Sequence, residues 1–408
     1  MADHLSCRVL IAGAGPAGCA VALYLLQRRP DLKGHVVALE RGRHPRMKVC
    51  AGGLIPKTIQ ALAELDLPLD VPAVSVRRGI ARTEVGEVDY LGSGVLCTVV
   101  RRDQFDARLA RAASEAGLRL VENCRVVDVE TSDSGVLVHT TDGDFAAEIL
   151  VGADGSGSRV RDSLFRRDQQ WVGRALMLDV PVSSRCLDNF AQTPYIFDFT
   201  CVAAGISGYS WSFPCLIEGR PHLNVGIYDQ HPGRAVVPGE HKADLLDGLA
   251  AAFPQLPIPS THRRGYKAFP IRWYAPEQSF VRGRVLLAGD AAGVDPLMGE
   301  GISYAFEHGK LAAQAIDDFL SGKPTALADY DRALHHGAVA RKLRRLSFAA
   351  RRFYGPRHKL YFRLASLSRG TQRIGIDWYN GVDNLDEAPV SSLLARWAKA
   401  VLLRTPMG

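Results

Sequence analysis

Cysteine is scarce in this chain, with eight among 408 residues, and the closest pair, Cys7 and Cys19, stands twelve positions apart with no C-x-x-C. That usage excludes a disulfide scaffold and lends no support to structural zinc or thioredoxin-type redox chemistry. The twelve histidines show no H-x-x-x-H or H-E-x-x-H spacing and no G-x-S-x-G occurs, so metalloprotease and hydrolase readings find nothing to stand on and no metal is expected. Met1 to Arg8 contain Asp3 and lack a basic stretch leading to a small-residue cleavage site, which points to the cytoplasm. Repeats and low-complexity tracts are missing too. The longest uncharged run, Val9 to Leu26, is interrupted by Gly13-Ala14-Gly15-Pro16-Ala17-Gly18, which would break a lipid-facing helix but suits a strand, a tight turn and a helix.

What is present is the composition of a folded protein: 47% hydrophobic and 23% charged residues, Gly 39 and Pro 22. The length predicts two or three domains at roughly 150 residues each. Fifty Lys and Arg against 43 Asp and Glu give a net charge of +7, unevenly spread. Arg341 to Gly375 hold eleven Lys or Arg and no acid, so the rest of the chain carries 7 − 11 = −4. The basic balance is one local patch.

Arg8–Ala12 reads as a strand, Cys19–Gln27 as a buried helix and His35–Leu39 as a second strand ending at Glu40, which together make a βαβ unit. Helices are expected at Pro56–Leu65, Asp103–Ala116 and Gly301–Leu320. Strands are expected at Leu118–Val121, Val126–Thr131, Val136–Thr140, Glu148–Val151 and Val285–Leu287. Trp171 to Pro270 has the strand formers and short turns of an antiparallel sheet, and the chain beyond Pro324 is helical in pattern.

A phosphate-binding turn needs glycine where the backbone bends, where it approaches a pyrophosphate and where helix packs on strand; Gly13, Gly15 and Gly18 meet those needs. The helix that follows presents free N–H groups and a positive dipole end to phosphate. Glu40, 22 residues after Gly18, can accept from a ribose 2′-hydroxyl and would repel a 2′-phosphate, so FAD or NAD is expected and not NADP. A lone turn of this kind is weak; strand, helix, second strand and acid together are not.

Three further stretches choose FAD. Leu287-Ala288-Gly289-Asp290-Ala291-Ala292, followed by Pro296, Gly299, Glu300 and Gly301, resembles the second FAD motif of flavoproteins, with Asp290 on the ribityl chain and a helix N-terminus at the flavin pyrimidine. Val151-Gly152-Ala153-Asp154-Gly155, with Ser158 and Arg161, resembles the Asp-Gly motif of flavin-dependent hydroxylases, and Arg102 before Phe105-Asp106 matches the arginine of that fold. The resemblance to para-hydroxybenzoate hydroxylase-like flavoproteins spans about residues 8 to 320. Within them, Lys48-Val49-Cys50-Ala51-Gly52-Gly53 and Tyr209-Ser210-Trp211-Ser212-Phe213-Pro214 are similar to the K-x-C-G-G-G and Y-x-W-x-F-P signatures of the geranylgeranyl reductase family, and Gly293 stands where many hydroxylases have histidine. Ala51 departs from the family glycine.

The resemblance implies an α/β fold: a discontinuous Rossmann-type FAD-binding domain (1–75, 100–165 and 275–325), a strand-rich substrate domain (76–99 and 166–274) and a helical C-terminal region (326–408). It implies a cofactor-binding set that adds Pro16, Ala17, Arg41, Cys50, Ala51, Gly52, Val126 and Ile302 to the motif residues above, and catalytic positions at Cys50, Tyr209 and Trp211. The expected activity is reduction of double bonds in an isoprenoid or similar apolar substrate by hydride from reduced flavin, with a nearby acid or water supplying the proton. A flavin monooxygenase acting on an aromatic or quinone-like substrate is the alternative, and a non-catalytic flavin binder would not need a wall of aromatic residues over the flavin. No second G-x-G-x-x-G occurs, so the reductant is NAD(P)H docking transiently or a protein electron donor. On residue type alone, Tyr209, Trp211 and Phe213 could equally be sheet packing, and Cys50 a small buried hydrophobe.

Arg341 to Gly375 repeats Leu343, Leu346 and Ala350, then Leu360, Leu364 and Leu367, at helical spacing among arginines. Two placements suit it. The segment lies on a membrane interface or another anionic partner, or its leucines pack onto the FAD domain and its arginines pair with acids elsewhere. Nucleic acid is not expected, since no recognition motif accompanies the charge.

Overall fold

The computed structural model describes residues 5–165, 172–183, 187, 189–230, 240–258, 265–366, 369–381 and 395. The apolar strand Leu5–Ala12 lies between two parallel partners, Val36–Glu40 and Gly143–Gly152, with Arg119–Glu122 and Val285–Leu287 parallel beyond them. All five residues of Val36–Glu40 are buried, as expected of a parallel strand covered on both faces. The antiparallel strands Val126–Thr131, Val136–Thr140 and Val281–Arg282 complete this 8-stranded sheet. The C-terminal ends of the parallel strands deliver Gly13, Glu40, Ala153 and Ala288 to one edge, the usual place for a ligand in an open α/β sheet.

The helix Pro16–Arg28 begins three residues earlier than Cys19, because Pro16 occupies its first turn, where the missing N–H is no loss. The strand ending at Gly152 begins at Gly143 and not at Glu148, since Gly143–Ala147 pairs antiparallel with Val136–Thr140 and, from Phe145 on, parallel with Leu5–Ala12 as well. The first strand begins at Leu5, three residues before the expected Arg8, and the other strands and helices expected in this half lie within one residue of their sequence limits.

A 7-stranded sheet runs in the order Lys267–Arg272, Val172–Pro181, Arg220–Asp229, Gly208–Ile217, Tyr195–Asp198, Arg78–Thr83, Gly86–Leu91. Its pairings are antiparallel except Tyr195–Asp198 with Arg78–Thr83. Strand alternation gives it two characters. Leu176, Val225 and Ile227 face the helix Glu240–Ala252, where Leu245, Leu249 and, just past its end, Phe253 bury them. Tyr209, Trp211, Phe213 and Tyr228 share the opposite face with Val74, Val76, Cys97 and Val99. Those last four belong to a small sheet of Gly53–Leu54, Cys97–Val100 and Ala73–Val76. The segment 76–99, expected to serve the substrate sheet throughout, therefore divides between two sheets.

The helices Ala326–His336, Ala338–Phe353, His358–Ser366 and Arg369–Tyr379 follow. Leu343 and Leu346 are buried in the main core beside Tyr330 and Leu334, and Ala350 is buried too, so this stripe packs inward and does not face lipid. Among the described residues of this region, Phe348 (57%) and Leu360 (50%) are the exposed large apolar side chains. Leu364 is half-buried, while Leu367 and most of the chain after 381 lie outside the described residues. Among the described residues no helix is long and apolar enough to cross a membrane, and no acid, histidine or cysteine cluster could hold a metal.

The helices Pro16–Arg28 and Ile302–Leu320 touch where a Cβ on Gly309 would come 2.6 Å from Ala20 Cβ. Gly309→Val forces them apart and should cost about 1–3 kcal/mol, read as a lower denaturant midpoint; an unchanged midpoint would disprove the tight seam.

Candidate active site

Gly13 turns the chain at φ +101°, and a Cβ there would sit 2.5 Å from Ala153 O; one on Gly18 would sit 1.9 Å from Gly13 O. Both glycines are demanded by the protein's own packing. Gly15 differs, because the nearest atom to its Cβ position is Arg46 Nη2 at 3.5 Å, so the space it leaves belongs to something outside the chain. The first turn of Pro16–Arg28 opens onto that space with unpaired N–H groups.

Glu40 is buried at the end of its strand. Its Oε2 accepts from Ala14 N–H and from Arg46 Nη2, both at 3.1 Å, and its Oε1 from Gly42 N–H at 3.1 Å. Arg46, which sequence reasoning did not single out, also lies 3.6 Å from Asp106, whose carboxylate holds Arg102 by two hydrogen bonds of 2.8 and 3.1 Å. The fork is buried and orients Arg102 along the cavity wall.

Asp290 accepts from Ser156 Oγ at 3.1 Å and has Lys48 Nζ 3.8 Å away. Burial pulls the Lys48 ammonium down to about 8, despite Asp290, and its Nζ rests 3.4 Å from the centre of the Phe269 ring. Asp154 caps the helix Arg159–Leu164 through Oδ2, accepting from the N–H groups of Arg159 (2.7 Å) and Val160 (3.2 Å). Arg161 donates to Ala291 O at 2.9 Å, tying the Asp-Gly stretch to the Gly-Asp loop. The same loop is held from below by buried His308, whose Nδ1 accepts from Gly289 N–H at 3.1 Å; the ring proton is thereby on Nε2. Desolvation lowers His308 to about 4 and keeps it neutral.

All of this surrounds one cavity of about 1120 Å³. Its dinucleotide arm is lined by Gly13, Gly15, Pro16, Ala17, Glu40 and Arg41, with Arg102, Val126 and Asp154. Gly299, Gly301 and Ile302 bring the N-terminus of Ile302–Leu320 to it beside Asp290, and Cys50 and Ala51 lie across from them. Gly18, Gly52, Gly289 and Pro296, expected as contacts, stand behind the wall and shape it. Gly289 meets Ala17, Gly52 meets Val100 O, and the Pro296 carbonyl takes Gln230 Nε2 at 2.8 Å.

The other arm is aromatic. Tyr209, Trp211 and Phe213 line it together. The Tyr209 hydroxyl donates to Met298 O, and Trp211 Nε1 donates to Asn224 Oδ1 at 2.9 Å. Both polar atoms are committed to protein partners, so these residues offer ring faces and not protons. Cys50 shares the cavity, its Sγ accepting from Gly52 N–H at 3.4 Å. Tyr195 stacks on Phe213 at 5.5 Å, and Phe197 meets Tyr209 edge-on at 5.2 Å. The alternation Tyr195-x-Phe197-x-Phe199 was the available signal for this strand. Trp378 and Tyr379 also line the cavity, and nothing local in sequence marks them.

The arrangement fits FAD. The Gly15 opening suits a pyrophosphate, and Asp154 Oδ1 and Arg46 Nε, on residues that line the cavity, are buried without hydrogen-bond partners, as are groups awaiting a polar ligand. The class is thus a FAD-dependent oxidoreductase of α/β fold. Residues 6–344 match the FAD binding domain family, and the chain belongs to it. It is 30% identical over 359 residues to the menaquinone reductase of Mycobacterium tuberculosis, covering 83% of each chain. It is 25% identical over 338 residues to the digeranylgeranylglycerophospholipid reductase of Methanothrix thermoacetophila, covering 79% of this chain and 81% of that one. The crystal structure of a geranylgeranyl bacteriochlorophyll reductase-like protein from Thermoplasma acidophilum shares the fold, with a TM-score of 0.73 at 19% identity and 97% of both chains covered.

Glu40→Arg or Asp290→Ala each remove an acceptor for the nucleotide, worth about 1.5–3 kcal/mol for a charged hydrogen bond. Flavin content after purification should fall at least several-fold in both; full occupancy in either would remove that residue from the site. His308 supplies a pH test. Its folded value of about 4 lies below the usual 6.5, so the unfolded chain takes up a proton that the folded one refuses, and stability is lost as pH falls from 6.5 towards 4. In His308→Gln the denaturant midpoint should drop less than in wild type between about pH 7 and about pH 5. Equal drops would place the ring in water.

Proposed function

We propose that this protein saturates carbon–carbon double bonds in a prenyl chain, adding across the bond one hydride from reduced flavin and one proton from a nearby acid or a water admitted to the site. The observation that carries the reading is the continuity of one cavity from the phosphate turn to an aromatic wall, so that an apolar chain and the redox end of FAD share a single dry space. Bound and reduced, FAD supplies the hydride. Around it the chain's own residues position and exclude: Asp290 and the Ile302–Leu320 N-terminus anchor, Lys48 places a cation beside Asp290, and Cys50, Tyr209 and Trp211 press the substrate into place while keeping water out. The reductases among the relatives, acting by name on a quinone and a prenylated lipid, support the same substrate class. Electrons come from NAD(P)H docked transiently or from a protein donor. Under anaerobic conditions, prenylated substrates should gain about 2 mass units per double bond. Oxygen-dependent gain of about 16 instead would make the protein a monooxygenase.

The membrane placement of the basic segment follows in altered form. With Leu343 and Leu346 buried, the groups left among the described residues to meet lipid are Phe348 and Leu360, with exposed Arg344, Arg351 and Arg357 on the same segment. Each such cation near an anionic surface adds about 1 kcal/mol. The protein should co-sediment with anionic liposomes, less so at high salt, and less again as Phe348→Ser/Arg351→Glu. Failure of the wild type to bind at low salt would end the proposal.

A further inference from the structure

The cavity crosses the 7-stranded sheet from one edge to the other. Each of its strands, from Lys267–Arg272 to Gly86–Leu91, contributes to the lining, through Phe269 at the first and Tyr90 at the last. Six inter-strand steps make this a path of about 29 Å. Among the described residues, every lining residue that the sheet supplies is glycine, aliphatic or aromatic. The cationic lining residues are Arg41, Arg46, Lys48, Arg102, Arg125 and Arg159, and they come from the segments that build the dinucleotide arm. Three of them already face carboxylates: Arg46 faces Glu40, Arg102 faces Asp106 and Lys48 faces Asp290.

At the far end the described charges lie among ion pairs within the chain, with Arg369 also near Asp89. Tyr90 lines the cavity in the edge strand while its neighbour Leu91 is 73% exposed, so the path reaches the surface there. Around it, Arg78 pairs with Asp89, Arg373 with Asp377, and Lys359 with Glu84. A diphosphate drawn in among these rings would be a buried charge without a partner, which costs far more than a prenyl chain gains by its burial.

Resting on the prenyl-chain reading above, we infer that the substrate chain lies across the strands with its head group left outside the edge strand, so that the enzyme reads the isoprenoid and not the charge it carries. Uncharged prenyl carriers, such as a quinone or a lipid, are then taken as readily as a free diphosphate.

The test uses the FAD-loaded enzyme and three ligands of equal chain length: geranylgeraniol, geranylgeranyl diphosphate and a prenylquinone. Binding is followed by the flavin spectrum or by tryptophan fluorescence, at low and high salt. The expected result is dissociation constants within about fivefold of one another and little moved by salt. A larger preference for any one head group overturns the inference while prenyl reduction stands. If none of the three binds or is reduced, prenyl reduction itself falls, and this inference with it.

Discussion

The structure turns on a contact from which side chains are excluded. At the Gly13–Gly18 turn three stretches far apart in sequence nest with no room for a further side chain: Gly13 against the Ala153 backbone, Gly18 against the Gly13 carbonyl, and Gly289 against the Ala17 methyl. Each approach is closer than a Cβ would allow. Because the turn cannot be widened, the helix Pro16–Arg28 must start where it does, the Asp-Gly stretch must close over it, and the Gly-Asp loop must lie on its first turn. Hydrogen bonds from Ser156 and Arg161, and to His308, then fix the loop's orientation.

From that corner the protein separates two solvents. Charge gathers in the dinucleotide arm, where Glu40, Arg46, Asp106 and Arg102 form a continuous chain of opposed partners and none is left bare in low dielectric. In the aromatic arm Tyr209 and Trp211 turn their polar atoms to protein partners. Trp211 reaches Asn224, Asn224 reaches Asp179, and Asp179 is held by Arg101, a relay that satisfies the indole N–H while leaving its ring in the cavity. A cofactor that is ionic at one end and flat and apolar at the other spans both regions, and a hydrocarbon chain finds its solvent in the second.

The C-terminal helices show how one surface serves two demands. The helix Ala338–Phe353 spends its leucines on the core and closes the cavity with Ala349 and Phe353. Lys342 meanwhile donates to the carbonyls of Trp378 and Tyr379 and holds the last described helix over the site. Its arginines are left outside by geometry, since a helix that buries one stripe must expose the opposite one.

Sequence by itself determined the βαβ unit, the place of Glu40 and Asp290, the order of the FAD motifs and the aromatic face of Tyr209, Trp211 and Phe213, because each is a local pattern: a turn that only glycine permits, an acid at a strand end, a period of two. It also showed that Arg341–Gly375 has an apolar stripe, but not what covers it. Only the tertiary structure decided that Leu343 and Leu346 face the core, that Arg46 completes the Glu40 site, that His308 holds Gly289, and that Tyr195, Phe197, Trp378 and Tyr379 wall the cavity. Periodicity says which face of an element is apolar, whereas the partner of that face is chosen by packing among segments hundreds of residues apart, and no local pattern encodes that choice.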